Sequence, residues 1–336
     1  MNSFGTLFRV HIFGESHGAS VGITIDGCPA GISVSAADFI TDIERRKGGT
    51  QPGTTPRKED DIPVFLSGIF NGKTTGAPLT ITFENNNTRS ADYEKQRAVP
   101  RPGHADLTAS QKFGGFEDYR GGGHFSGRLT VCLVAAGVIA KKILHLGDPH
   151  ILCTATLTEA GGETDIEKGI AKAMKAGDSV GGIVECTVRN LPPGLGEPFF
   201  NSAESLLSHA VFAIPAVKGI EFGSGFLAAK MFGSQHNDAI QNNDGKTLTN
   251  NSGGISGGIT NGNDLVFRIV IKPTSSTPKE QQTFNKITGA VEEFSVKGRH
   301  DLCIALRVPV VLEAVTALVI ADLLLLEQKI KRINKK

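Results

Sequence analysis

Short stretches in which apolar and polar residues alternate recur along the chain, and they are rich in β-branched residues. Alternation with a period of two puts every second side chain on one face of a strand, so each stretch predicts a half-buried strand. We predict strands at residues 7–13, 19–25, 80–83, 151–157, 182–188 and 265–271.

A second pattern, apolar on every side, runs through residues 129–144. Charged side chains occur only near its end, at Lys141 and Lys142, and this predicts a helix that is buried all round. A more polar helix is predicted at residues 36–46, because Ser35 is a preferred capping residue. The chain therefore combines strands with at least one core helix.

The most apolar stretch, residues 308–326, predicts a further helix. It contains Pro309, Glu313 and Asp322, and charged groups are costly in a bilayer core. We therefore expect a buried C-terminal helix and no membrane span. The first 16 residues lack the charged start and continuous apolar stretch of a signal peptide, so we expect a cytoplasmic protein.

The order of elements after Ser20 returns after Ser179. In both places the letters SVG begin a strand, a turn rich in Pro and Gly follows, and then comes a helix rich in Ala and Ser. A fixed order that recurs is the signature of a repeated structural unit. We predict an internal duplication of a sheet-plus-helix unit.

The composition argues against some classes of function but does not identify one. The chain has 336 residues, enough for one large domain, and 35 Lys+Arg against 34 Asp+Glu give a net charge of +1. This balance argues against the broad basic surface of a nucleic-acid-binding protein. The five cysteines are widely separated, without a CxxC pair, as is typical of reduced thiols in a cytosol.

Polar, glycine-bounded loops follow several predicted elements, and two of them are candidates to present a histidine for proton transfer. GESHG at residues 14–18 presents His17, and RPGHAD at residues 101–106 presents His104 with Asp106 placed to orient a ring nitrogen. Histidine titrates near neutral pH, so both are candidates for proton transfer.

Other loops suit an anionic ligand. RRKGG at residues 45–49, DYRGGGHFSGR at 118–128 and KPTSS at 272–276 combine cations, hydroxyls and free backbone N–H groups. GRHD at residues 298–301 places Asp301 at the start of a predicted strand, before the C-terminal helix. The sequence thus indicates an anion-binding site with groups for proton transfer.

Two other classes of function stay open on the residues alone. A metal-dependent phosphohydrolase could use His104, Asp106, His300 and Asp301, although their spacing matches no standard metal site. A non-catalytic anion- or RNA-binding module could use the basic residues 45–58, although aromatic residues for base stacking are scarce. The sequence has no HExxH motif, CxxC pair or complete Walker sequence.

The motifs together carry a resemblance to a known family. GESHG, RRKGG, TTGAP (74–78), RPGHAD, DYRGGG with SGRLT, AVKG (216–219), GGISGG, KPTSS and GRHD occur in the order found in chorismate synthase, over nearly the whole chain. The resemblance implies an α+β fold in which residues 1–336 form a single domain. Central helices lie between antiparallel sheets in this fold, and the protein is a homotetramer. We expect mobile loops near residues 46–60, 84–103 and 233–252.

The resemblance also implies a reaction. It is a 1,4-elimination that converts 5-enolpyruvylshikimate 3-phosphate into chorismate and phosphate, the last step of the shikimate pathway, and it uses reduced FMN without net redox change. No Rossmann-type GxGxxG is visible, so we expect an outside reductant for the flavin, with NADPH as a candidate. We expect no metal ion, nucleic-acid partner or membrane.

Matching the motifs residue by residue implies a set of site residues. Catalysis is assigned to His17 near the flavin, His104 assisting phosphate or flavin, and Asp301 in proton removal with flavin N5. Substrate binding is assigned to Arg45, Arg46 and Arg128. FMN binding is assigned to His124, Phe125, Ser126, Pro215, Ala216, Gly257, Lys272, Pro273, Thr274, Ser275, Ser276 and Arg299.

The chain departs from the family pattern at two places. His124 and Phe125 stand where many members have Arg and Ser, so the charge of the contacts there differs. Pro52 stands where a further arginine is common, and this puts a contact from that position in doubt.

Overall fold

The computed structural model describes residues 1–49, 51–56, 59–86, 97–296 and 300–331. The first half of the chain contains β1 (Ser3–Phe4), β2 (Arg9–Gly14), β3 (Ser20–Asp26), α1 (Ala37–Arg46), β4 (Val64–Ser67), β5 (Ile69–Phe70), β6 (Lys73–Thr74), β7 (Leu79–Glu84), α2 (Asp106–Phe113) and α3 (Thr130–Gly147). The second half contains β8 (Leu152–Ala160), α4 (Ile166–Ala176), β9 (Gly182–Arg189), α5 (Ala203–Val211), β10 (Val217–Phe222), α6 (Gly233–His236), β11 (Ile255–Ser256), β12 (Ile259–Thr260), β13 (Leu265–Ile271), β14 (Gln281–Phe284), β15 (Val291–Phe294) and α7 (Val308–Lys331). Every strand and helix predicted from the hydrophobic pattern is present, with ends shifted by a few residues.

Two antiparallel sheets form the outer layers. The first has the strand order β1-β2-β3-β7-β4, and the second has the order β10-β13-β9-β8. Alternate residues point inward, as the period of two requires: Ile23 lies opposite Ile81 in the first sheet, and Phe267 lies opposite Cys186 in the second. All four of these side chains are fully buried. The inward faces supply the two sides of one hydrophobic core.

Helices α3 and α7 fill the space between the sheets, with α1 and α5 packed beside them. Helices α3 and α7 cross closely at Gly137, where an added Cβ would overlap the backbone and side chain of Ala314. By length and composition both long helices could cross a membrane, but each is mostly buried inside the protein. The prediction of an α+β fold with buried central helices is confirmed.

The two halves share one topology. Each contains strands in the spatial order first, second, fourth, third: β2-β3-β7-β4 in one half and β8-β9-β13-β10 in the other. In each, a helix follows the second strand, and a core helix follows the last strand after a long connection. This recurrence supports the predicted duplication. The main difference is that β2 and β3 are joined by a short turn, whereas α4 lies between β8 and β9.

A carboxylate joins the first residues of the chain to the last helix. Asp322 of α7 accepts hydrogen bonds from the backbone N–H groups of Thr6, Leu7 and Phe8 at 2.7, 2.7 and 2.8 Å. It satisfies three donors that a tight turn would otherwise leave without partners in the protein interior. The clamp holds the edge of the first sheet against the helical layer.

One prediction made from the sequence, for the segment just before α7, was wrong. Asp301 does not begin a strand. The residues after it form a 3-10 helix at Ile304–Arg307, which continues directly into α7. Buried Ala305 packs against Gly182 of β9 here, and this close packing favours a helical turn over a further strand.

The predicted mobile loops are only partly described. Residues 50, 57 and 58 of the first loop and 87–96 of the second lie outside the described residues. The third begins with α6, and Asp238 accepts hydrogen bonds there from the backbone N–H groups of Asn251 and Ser252 at 2.7 and 2.9 Å. The mobility of all three loops stays a prediction.

Candidate active site

The two long connections that precede α3 and α7 enclose a cavity of about 550 Å³ together with the end of α1 and the β2–β3 turn. Among the described residues, its wall carries six cationic side chains, three acidic side chains and three histidines. The chemically active lining residues are His17, Arg46, Lys47, Glu59, Asp61, Arg101, His104, Arg128, Lys272, His300, Asp301 and Arg307.

The glycine run at Gly121–Gly123 brings His17 and His104 together. All three glycines have positive φ values, of 60°, 81° and 52°. An added Cβ at Gly121 would overlap the His17 ring, and one at Gly122 would lie 3.1 Å from the His104 ring. Glycine is therefore required both by the backbone conformation and by the two rings that pack against it.

The β2–β3 turn is fixed to the same run through its serine. The backbone N–H of Ser16 donates to Gly123 O at 3.1 Å, and its Oγ donates to the carbonyl oxygens of Arg120 and Gly121 at 3.2 and 3.1 Å. These hydrogen bonds hold buried His17 in the cavity wall. The polar turn between the two strands thus positions a histidine ring.

His104 lies against a carboxylate that an arginine holds. His104 Nδ1 is 2.5 Å from Asp106 Oδ1, and Arg101 donates to both oxygens of Asp106 at 2.8 Å. Burial alone would raise the pKa of Asp106, but the hydrogen bonds from Arg101 and His104 hold it well below its usual range. The predicted orientation of His104 by Asp106 is confirmed. Arg101, the first residue of RPGHAD, also lines the cavity, and sequence reasoning did not assign it to the site.

Two of the three predicted substrate arginines meet at a buried carboxylate. Arg46 donates from Nη1 to Asp61 at 3.1 Å and from Nε to Thr130 Oγ1 at 3.0 Å. Arg128 contacts the other oxygen of Asp61 and donates from Nε to Asn85 Oδ1 at 3.0 Å. Burial lowers the pKa of Arg46 to about 9, although Asp61 opposes the shift. For Asp61, burial raises the pKa, but the two arginines outweigh it, so the net shift is downward.

Asp301 is held by Arg307 and by a backbone N–H group. Its Oδ2 accepts from Arg307 Nη1 at 3.0 Å, and its Oδ1 accepts from the backbone N–H of Thr55 at 2.9 Å. Arg307 also donates from Nε to the carbonyl oxygen of Arg46 at 2.8 Å. Asp301 therefore lies near the arginine cluster across the end of α1. Neither Asp61 nor Arg307 belongs to a motif that sequence reasoning singled out.

The KPTSS loop lies across the cavity from α1 and contacts the RPGHAD loop. Lys272 Nζ donates to Ser275 Oγ at 2.6 Å and to Gly103 O at 3.1 Å. Burial, with a smaller effect from nearby Lys218, lowers the pKa of Lys272. The buried hydroxyl oxygen of Thr274 has no hydrogen-bond partner among the described residues. The predicted residues of this loop, 272–276, line the cavity, as do Phe125, Ser126, Pro215 and Ala216.

Three predicted site residues lie elsewhere in this chain. Arg45 points away from the cavity, where Nη1 and Nη2 each donate to an oxygen of Glu313 at 2.7 Å. The ring of His124 bonds to Gly14 O at 2.8 Å and Asn2 Oδ1 at 3.1 Å, so it supports the edge of the first sheet. Gly257 lies in the turn between β11 and β12. Arg299 lies outside the described residues.

The fold and the cavity define an enzyme in which helices between two antiparallel sheets support cations for an anionic substrate beside groups for proton transfer. The sequence model described as chorismate synthase matches residues 8–325. The chain therefore belongs to the chorismate synthase family, and it is a lyase.

Individual relatives agree with this assignment along the full chain. A chorismate synthase of Chitinophaga pinensis is 68% identical over 335 residues, which cover 100% of both chains. One from Methanocaldococcus jannaschii is 42% identical and covers 97% of this chain and 96% of its own. A crystal structure described as chorismate synthase is similar with a TM-score of 0.72 at 26% identity, covering 98% of this chain and 97% of the other.

These findings do not support the two alternatives that the residues had left open. All three of these relatives are chorismate synthases rather than phosphohydrolases or RNA-binding proteins. Within the described ranges, no group of three His, Cys, Asp or Glu side chains is arranged to hold a metal ion.

Proposed function

We propose that the protein converts 5-enolpyruvylshikimate 3-phosphate into chorismate and phosphate with the help of reduced FMN, in aromatic biosynthesis. One observation carries the proposal: a single cavity is lined by Arg46, Arg128, His17, His104 and Asp301. A 1,4-elimination breaks an allylic C–O bond to phosphate and a C–H bond of the same ring. It therefore needs cations for the leaving group and groups that can accept and donate protons.

The arginine cluster is the proposed anchor for the substrate's anionic groups. Arg46 and Arg128 are buried in the cavity wall and fixed by several hydrogen bonds each, so little side-chain entropy remains to be lost on binding. Guanidinium groups match carboxylate and phosphate oxygens in geometry and offer several donors at once. Arg45 is left out of this proposal, because its donors are held by Glu313.

The loop of residues 272–276 and the adjoining surface fit a flavin mononucleotide. The Thr274 hydroxyl, which has no hydrogen-bond partner in the described part of the chain, could donate to an anionic group, and Lys272 supplies a cation beside it. Phe125, Pro215 and Ala216 give apolar surface for a flat ring. When bound, reduced FMN would lend electron density to cleavage of the C–O bond and regain it as the C–H bond breaks, without net redox change.

Three side chains are proposed to handle protons. His17 and His104 lie against successive glycines, and the Asp106 carboxylate, 2.5 Å from His104 Nδ1, orients the His104 ring. Asp301 would take part in removing the ring proton, because hydrogen bonds from Arg307 and Thr55 hold its carboxylate in place in the cavity lining. Phosphate leaves with the electron pair of the C–O bond, and the ring loses one proton.

We also propose that residues 1–336 act as one domain in a homotetramer in the cytoplasm, with FMN reduced by an outside source, for which NADPH is a candidate. Several large apolar side chains are strongly exposed in this chain, which supports association with further copies. They include Phe199, Phe200, Phe226 and Phe232. Light scattering on the purified protein would measure the number of copies.

The decisive experiment for the reaction is anaerobic. The protein is mixed with chemically reduced FMN and 5-enolpyruvylshikimate 3-phosphate, and phosphate release and chorismate absorbance are followed. We expect both products only with reduced flavin, and an oxidised-FMN sample serves as the control. Absence of product from folded, flavin-binding protein would overturn the proposal.

A further inference from the structure

Asp61 is a fully buried carboxylate between two buried cations. Its side chain is 0% exposed, and those of Arg46 and Arg128 are each 4% exposed. One carboxylate oxygen accepts from Arg46 Nη1 at 3.1 Å, and the other accepts from Arg128 Nη1. With one carboxylate against two guanidinium groups, the cluster keeps surplus positive charge inside the cavity wall.

The cluster of Asp61, Arg46 and Arg128 is not expected to stabilise the fold by itself. Removing three charges from water costs more than their mutual attraction commonly returns, and a net charge remains. The backbone is also committed to the arrangement, since Asp61 has a φ of 51°, in the left-handed region that side chains rarely adopt. A buried, uncompensated cation in a cavity wall instead suits a site that receives an anion.

The hydrogen bonds show how Asp61 directs the arginines. Arg46 is bonded to Thr130 Oγ1 and Arg128 O, and Arg128 is bonded to Asn85 and Glu84 O. With Asp61 included, each guanidinium is bonded through all three of its nitrogens. A guanidinium has about five N–H groups, so donors remain on both for a ligand.

We propose that Asp61 is a positioning residue for the elimination: its carboxylate fixes Arg46 and Arg128 so that their remaining donors face the substrate's anionic groups. The inference rests on the proposed function, because it takes these arginines as the substrate anchors. Asp61 itself does not touch the substrate. Its effect reaches the reaction through the orientation and charge of the two guanidinium groups.

The test replaces Asp61 with asparagine, which keeps the shape and removes the charge. We expect the KM for 5-enolpyruvylshikimate 3-phosphate to rise about 10- to 100-fold, as for loss of a charge-assisted pair, with a smaller fall in kcat and unchanged FMN affinity. The matched control is D60N, since Asp60 is the exposed neighbour of the same type. D60N should match the wild type.

A pH profile separates positioning from a merely structural role. The groups that face Arg46 are Asp61, Arg128, Arg307 and the Cys132 thiol, and Asp61 is the one that most raises the pKa of Arg46. Without it, the pKa of Arg46 should fall further, so the KM of D61N should climb at the alkaline end of the pH profile while that of the wild type changes less. Lost packing alone would lower thermal stability without this dependence on pH.

The possible outcomes distinguish failure of the proposed function from failure of the role proposed for Asp61. A wild-type protein that forms no chorismate removes the proposed function. An active wild type with D61N kinetics equal to those of D60N removes only the role of Asp61. Should D61N not fold, D61E carries the test: it keeps the charge, so a raised KM with a flat pH dependence supports positioning. Wild-type KM and kcat in D61E would overturn it.

Discussion

The two halves of the fold reach the cavity in the same way but bring different chemistry to it. In each half an arginine just before the core helix contacts an aspartate, Arg128 with Asp61 and Arg307 with Asp301. The side chain of Asp61 is shared by two arginines and is 0% exposed, whereas Asp301 has one arginine and is 10% exposed. The first cluster keeps surplus positive charge, and the second is a neutral pair with a more open carboxylate. One topology thus presents a cationic cluster on one side of the cavity and a more open carboxylate on the other.

The largest effect is expected from removing the carboxylate of the second half. Asp301→Asn should lower kcat about 10²- to 10⁴-fold, as for loss of a group that transfers a proton, while the substrate still binds. Single-turnover kinetics with reduced FMN and a separate binding titration would measure both quantities. A KM effect alone would place Asp301 with the anchors and break the contrast between the halves.

A pair of neighbours in the first half gives the next effect. Arg46→Gln should raise the KM for the substrate about 10- to 100-fold, since charge-assisted hydrogen bonds contribute roughly 1.5–3 kcal/mol. Arg45→Gln should change KM less than about two-fold, because Arg45 bonds to Glu313 outside the cavity. Steady-state kinetics of both variants measures the two KM values, and equal values would contradict the different roles proposed for Arg45 and Arg46.

A substitution at the crossing of α3 and α7 should change the free energy of unfolding. Gly137→Ala places a methyl group where α3 meets Ala314 of α7, so the free energy of unfolding should fall by about 1–3 kcal/mol. Gly147→Ala, at the end of the same helix, meets nothing within 4 Å and should leave stability unchanged or slightly higher. Urea denaturation of the two variants measures the difference. Equal losses would mean that the crossing is not closely packed.

A comparable effect on stability, which depends on pH, is expected at Asp106. The pKa of Asp106 is lowered in the folded protein, so its contribution to stability is present above its unfolded pKa, near about 4, and is lost as pH falls through the folded value. Asp106→Asn should therefore weaken the folded state at pH 7 by about 1–3 kcal/mol and make stability less dependent on pH below about 4. Denaturation midpoints across pH would reveal it. A variant with the acid dependence of the wild type would show that Asp106 gains nothing from Arg101 and His104.

The sequence predicted the elements better than their arrangement. Strands such as residues 265–271 were located from a period of two, because the inward face must be apolar wherever it meets the core. The order in which β7 comes to lie between β3 and β4 depends on contacts between distant segments, which no local pattern encodes. The buried helices were predictable since α3 is apolar on every side.

The lining of the cavity was most readily predicted where glycine accompanies a polar side chain. His17 and His104 lie in glycine-bounded loops, and both reach the cavity. Arg45 and Arg46 are consecutive on a helix and so point about 100° apart, and the sequence alone does not say which faces the substrate. Asp61 lies outside the recognised motifs, and its role depends on Arg128, 67 residues away.

The Asp322 clamp gives the protein an internal reporter of its own opening. The amide protons of Thr6, Leu7 and Phe8 bond to a residue more than 300 positions later, so they are protected only while this segment stays bonded to Asp322 of α7. Fraying of nearby turns cannot expose them without breaking this contact between distant parts of the chain. Their hydrogen exchange therefore measures how often the segment between β1 and β2 separates from the last helix.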